Sequence, residues 1–158
     1  MRFLTIAGIF TVMFSLASGL VFAEHVIDDS NNRGYLLVIS GTSGSLKGDT
    51  LTLKGVPNVL YFSDRPNRIA GHKSLTDFVG YWNKSTESFK SDPPNAILSF
   101  MDGENVKNVE VELMSALAQD DSVSFKIRVL EGRMPDKFEA ASLFVDSYCP
   151  WCFKSTAP

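Results

Sequence analysis

The polar constellation with the most evident chemistry runs over Tyr61–His72 and includes Asp64-Arg65-Pro66-Asn67-Arg68-Ile69-Ala70-Gly71-His72, with Lys73 after it. Arg65, Arg68, His72 and Lys73 form a basic island in an acidic chain. Two guanidinium groups three residues apart can clamp a carboxylate or a phosphate with paired hydrogen bonds. Pro66 presets a turn, and Asp64 stands just ahead of it. That chemistry points to an anion-binding loop built on Asp64, Arg65, Arg68 and His72. A structural reading stands beside it. Asp64 can cap the turn, and one arginine can bridge to the loop backbone to stiffen a long connection.

The second reactive set is Cys149-Pro150-Trp151-Cys152, with only six residues after it. A redox-active Cys-x-x-Cys opens a helix whose N-terminus lowers the first thiol's pKa. No helix and no βαβ remainder can follow here. Covalent haem attachment requires a histidine after the second cysteine, where Phe153 stands. A four-ligand zinc site would need two further ligands, and the chain's two histidines are His25 and His72. Three uses stay open: a small disulfide between Cys149 and Cys152 in an exported tail, metal capture, and thiol exchange. The disulfide is the expected state, and so short a ring gains little from closure.

Established catalytic signatures are missing. There is no Gly-x-Ser-x-Gly, no His-Glu-x-x-His, no phosphate-binding glycine loop and no calcium loop. Glu110 and Glu112 are the solvated side of an alternating strand rather than an acid–base pair. Glu24-His25 would offer an amine and an imidazole to Cu(II) if residue 24 became the N-terminus. Asn83-Lys84-Ser85 is a glycosylation sequon, meaningful only in a eukaryotic secretory route. The sequence therefore implies no catalytic residue, no cofactor and no dedicated metal site.

The segments that must position these groups begin after residue 23. Arg2 is followed by an apolar run over residues 3–22, which ends on Val21-Phe22-Ala23. A charged start, an apolar middle and a small-residue exit form a secretory signal peptide. The protein is expected to be secreted or periplasmic, with no membrane span after cleavage. Loss of residues 1–23 leaves 14 Lys+Arg against 18 Asp+Glu, a balance that disfavours nucleic acid. The expected organisation is a polar lead-in over 24–34, a single β domain over 35–148 and the cysteine tail over 149–158.

Within that domain the period is two. Residues 107–114 alternate with Val109, Val111 and Leu113 inward, and residues 123–130 with Val123, Phe125, Ile127 and Val129 inward. Leu51 and Leu53 alternate in the same way. Further strands are expected at 35–40 (buried on both faces), 45–47, 59–62, 96–101 and 141–146, with 63–73 a loop and 115–122 a linker. One segment has a helical period: Leu75, Phe78, Val79 and Trp82 follow Ser74-x-x-Asp77, a capping box, predicting a helix over about 75–83. About seven short strands and one short helix define a mainly-β chain, an antiparallel β-sandwich or open barrel.

Tyr61-Phe62-Ser63-Asp64-Arg65-Pro66-x-Arg68-x-Ala70-Gly71-His72, followed by Phe78, Val79, Trp82, Ser88, Phe89 and Asp92-Pro93-Pro94-Asn95-Ala96, resembles a family of uncharacterised exported proteins of bacteria and marine microbes. The similarity runs over residues 48–145. The family carries no assigned activity, so the resemblance implies only that the Asp64–His72 loop and the Asp92–Ala96 turn act together. The cysteine tail departs from the family's usual ending, which places it outside any shared role. The function expected from these readings is non-catalytic: an exported binding module that contacts an anionic small molecule or another exported protein through residues 64–73. The alternative is a thiol-based redox or metal-handling protein that uses Cys149 and Cys152.

Overall fold

The computed structural model describes residues 34–63, 65, 68–80, 82 and 89–148. The elements are β1 (Gly34–Gly41), β2 (Ser43–Lys47), β3 (Thr50–Lys54), β4 (Val59–Ser63), β5 (Ala70–Lys73), α1 (Leu75–Gly80), β6 (Asn95–Asp102), β7 (Asn105–Gln119), β8 (Ser122–Glu131), β9 (Lys137–Phe138) and β10 (Ala141–Tyr148). All ten strands join one sheet in the order β5-β4-β1-β10-β6-β7-β8-β3-β2-β9, and every pairing is antiparallel. The mainly-β, antiparallel expectation holds, with one short helix.

The sheet curls back on itself. β1 runs through Thr42 straight into β2, although the two strands lie far apart in the hydrogen-bonded order. At the opposite corner β7 serves two neighbours. Its first part pairs with β6 and its second with β8, with register shifts at Glu110/Val111 and between Leu113 and Ser115. Such bulges bend a strand and sharpen its twist, which turns the corner. They also change the inward phase. Val109, Val111 and Leu113 are buried before the second shift, and Ala116 and Ala118 pack on the core after it. The curl encloses Ile39, Leu53, Leu98, Leu113, Phe125 and Leu143, all essentially inaccessible.

Of the helix expected over about 75–83, residues 81 and 83 lie outside the described residues. α1 spans Leu75–Gly80, with Trp82 in a following 3-10 turn. The N-cap half of the capping box forms: the Asp77 N–H donates to Ser74 Oγ at 3.0 Å, and that hydroxyl in turn donates to Asp77 Oδ2 at 2.8 Å. Phe78, Trp82 and Phe89 close over Phe125 of β8, and Trp82 Nε1 donates to the Met114 carbonyl of β7 at 3.3 Å.

Several expectations are corrected. Among the described residues there are ten strands rather than about seven. Residues 70–73, expected in a loop, form β5, because the β4 ladder captures them. Residues 115–119, expected in a linker, continue β7. Val129 is 44% exposed rather than inward. β3 reaches only as far along β8 as Lys126, so the rest of β8 overhangs with a neighbour on one side. β1 is buried on one face only, since Leu36 is 41% exposed.

One surface pair carries a pH signature. The Lys126 ammonium, 3.1 Å from Asp49, hydrogen-bonds that carboxyl and holds its pKa below the ordinary value. A depressed folded-state pKa means the pair stabilises above about pH 4, and that the benefit disappears as pH falls through the folded value. Both side chains are more than half exposed, so the effect is small. The Tm difference between wild type and Lys126→Met should shrink toward zero as pH falls from about 6 to about 2. A constant difference would assign the contribution of Lys126 to packing.

Candidate functional site

The basic loop is a β-hairpin. Cross-strand partners are Val59 with Lys73, Leu60 with His72, Tyr61 with Gly71 and Phe62 with Ala70. Ser63 closes the tip from both its main chain and its side chain. Its N–H donates to the Ile69 carbonyl at 2.8 Å, and its hydroxyl accepts from the Ile69 N–H at 2.8 Å. One rung below the closing pairs, Tyr61 lies across Gly71: a β-carbon at Gly71 would stand 2.4 Å from the Tyr61 hydroxyl oxygen. Tyr61 also meets the Tyr35 ring edge-on at 6.3 Å. His72 Nδ1 is 3.1 Å from Asn58 Oδ1 at the base of the hairpin.

These contacts explain most of the Tyr61–His72 motif as architecture. Ser63 closes the tip, Tyr61 and Gly71 interlock, and His72 is fixed on Asn58. The arginines have no such part. Arg65 and Arg68 are exposed, and among the described residues neither side chain makes an ion pair or hydrogen bond. Arg68 has φ +50°, the left-handed region, which costs an L-residue roughly 1–2 kcal/mol relative to a helical one. Glycine or asparagine would meet that geometry more cheaply. Asp64 lies outside the described residues.

The hairpin therefore separates what the sequence grouped. His72 stands on the ladder, about 10 Å along the strand from Ile69 at ~3.4 Å per residue. Of the described members of the set, Arg65 and Arg68 are left at the tip. The Asp92–Ala96 turn leads into β6 at the same end of the sheet, three strands from β4, which is a lateral offset of about 14 Å. Its Pro94 carbonyl accepts from the Leu113 N–H at 2.9 Å and so ties the turn to β7. Gly34 and Tyr148, cross-strand partners, also lie at this end. Cys149 and Cys152 follow Tyr148 and lie outside the described residues.

Among the described residues, no group of three or more His, Cys, Asp or Glu side chains is placed to hold a metal ion. No helix there is long and apolar enough to cross a membrane. A depression of about 230 Å3 lies away from the hairpin, lined by Ser99, Met101, Val106, Ser142 and Phe144 among others. The sequence reading missed the surface around it. The available signals were β1, β6 and β10, whose apolar residues occupy both parities. No family model, no curated protein and no solved structure matches the chain.

Proposed function

We propose that the protein is an exported, non-catalytic binding module that contacts an anionic group through Arg65 and Arg68. One observation carries this reading. The hairpin is closed, interlocked and fixed at its base without either arginine, yet its tip presents both to solvent, and Arg68 does so from a left-handed backbone. Left-handed non-glycine backbone occurs at ordinary turns, as at Asp120, as well as at ligand-contacting positions, so the exposure of both guanidinium groups is what supports the reading. Carboxylates and phosphates suit paired guanidinium groups. The apolar N-terminal run and its Val-x-Ala exit support export.

Phosphocellulose retention at low salt tests the proposal. The chain is acidic overall, so retention requires a local basic patch. Wild type should be retained. Arg65→Ala/Arg68→Ala should flow through, with stability within about 0.5 kcal/mol of wild type. Arg68→Gly should also lose retention while gaining up to about 1 kcal/mol of stability, because glycine takes the left-handed backbone freely. An unfolded Arg65→Ala, or a double variant retained like wild type, would overturn the reading.

The alternative is a thiol-based redox or metal-handling role for Cys149 and Cys152, which follow Tyr148 in the sequence. β10 delivers the tail two strands from the arginine hairpin, about 10 Å across the sheet. Disulfide-reductase activity that disappears in Cys149→Ser/Cys152→Ser and survives in Arg65→Ala/Arg68→Ala would support the thiol role. The binding reading expects the reverse independence, with the two thiols oxidised to each other.

A further inference from the structure

β5 lies at one end of the strand order, and among the described residues only β4 pairs with it. At the other end β9 is two residues long, too short to template a further strand. The overhanging part of β8 is interrupted by a bulge, with Leu130 unmatched between the pairs Glu110–Glu131 and Val111–Val129. β5 has no such interruption: Ala70 to Lys73 pair in unbroken register with Phe62 to Val59.

The groups that β5 turns outward follow from the closure of the hairpin. Ile69 bonds Ser63, on the β4 side, through both its carbonyl and its N–H. In an antiparallel ladder successive residues turn their main-chain groups to opposite sides. Gly71 and Lys73 therefore face β4 as Ile69 does. Ala70 and His72 turn their N–H and C=O groups to the open edge, ~7 Å apart. The side chains around this edge are small, apolar or cationic. Ala70 presents a methyl group beside Phe62, which is 42% exposed. Arg65 and Arg68 stand at the tip, beyond the Ala70 end of the strand.

We infer that β5 accepts an extended peptide of a partner protein as an added antiparallel strand, whose C-terminal end carries the carboxylate that Arg65 and Arg68 bind. The inference rests on the anion-binding reading above and names the partner of that site. Charge sets the orientation. A strand antiparallel to β5 runs toward the tip and brings its C-terminal end to the two guanidinium groups, whereas a parallel strand would bring its N-terminal end there. The partner residue opposite Ala70 exchanges two main-chain hydrogen bonds with it, and the residue two positions earlier exchanges two with His72. Residues directly opposite each other share a face, so an apolar side chain opposite Ala70 extends the Phe62 surface across the Ala70 methyl. The carboxylate follows two residues later, level with Arg68. A chain terminus or an Asp or Glu side chain can supply it. An isolated phosphate would meet the arginines and leave the edge unused.

The probe is the peptide Thr-Val-Thr-Val-Thr-Glu, labelled with fluorescein at its N-terminus and free at its C-terminus, read by anisotropy against the full chain as processed on export. Kd should be on the order of 100 µM. A peptide with Gln for Glu and a C-terminal amide should bind at least ~10-fold more weakly, and so should the intact peptide to Arg65→Ala/Arg68→Ala. Making the two peptide changes singly separates a terminal carboxylate from a side-chain one. N-methylation of the second valine removes the N–H aimed at Ala70 and should weaken binding at least ~10-fold, whereas N-methylation of the third threonine, whose N–H points away, should stay within ~3-fold. Ala70→Pro removes an edge N–H and no β4 bond, so it should lose the peptide and keep its retention on phosphocellulose. No binding at about 1 mM peptide, or equal affinity for both N-methylated peptides, would overturn strand addition while leaving anion binding by the arginines in place. Retention of Arg65→Ala/Arg68→Ala on phosphocellulose would overturn the anion reading itself, and this inference with it.

Discussion

Trp82→Ala is expected to cost about 3–5 kcal/mol of stability, a large share of what a domain of this size possesses. Trp82 is fully buried and touches Phe78, Phe89 and Phe125 at ring-centroid distances of 5.7, 5.0 and 5.9 Å. Its indole N–H also donates to the Met114 carbonyl. α1 is a short helix and could not persist alone. It is held by this aromatic cluster, so removing the largest member releases it from β7 and β8. Urea unfolding measures the loss. Trp82→Phe separates the two contributions: it keeps most of the packing and forfeits the hydrogen bond, and should cost about 1–2 kcal/mol. A loss below about 1 kcal/mol for Trp82→Ala would show that the cluster is not what anchors the helix.

Gly44→Ala should cost about 1–3 kcal/mol through a contact that no local pattern reveals. A β-carbon at Gly44 would stand 2.0 Å from the Phe138 ring. Phe138 supplies half of the two-residue strand β9, and it stacks on Phe100 of β6 at 4.9 Å. It cannot swing aside without uncovering Phe100. A double-mutant cycle isolates the effect. On a Phe138→Ala background, which alone should cost about 3 kcal/mol, Gly44→Ala should be nearly neutral. Additive costs would locate the glycine requirement in the β2 backbone rather than in the space the ring occupies.

The fold was legible where one strand face meets the core. Val109, Val111, Leu113, Val123, Phe125 and Ile127 alternate and are buried as their spacing implies. Ser74 and Asp77 announced the helix start through chemistry confined to four residues. Illegible elements were those decided by partners distant in sequence. Ala70-Gly71-His72-Lys73 has no strand propensity, and its pairing with β4 makes it one. Residues 115–119 are alanine-rich and suit a helix, but the ladder to β8 overrides that preference. Val129 keeps the parity of its strand but is exposed, because β3 ends before reaching it and leaves it uncovered. The same holds for the candidate site. Spacing grouped Arg65, Arg68 and His72, and the hairpin register then set His72 apart. The spacing of Tyr61 and Gly71 could not show that one ring covers the other residue.

Gly34 and Tyr148 are cross-strand partners at the first and last positions of the ladder between β1 and β10. Among the described residues, the hydrogen-bonded body thus begins and ends at one point. Joining residues 34 and 148 by a short glycine–serine bridge and reopening the chain at the exposed Gly103-Glu104 turn would create a circular permutant with every ladder intact. The same adjacency lets the body be spliced whole into a surface loop of an unrelated host, entering and leaving through neighbouring strands.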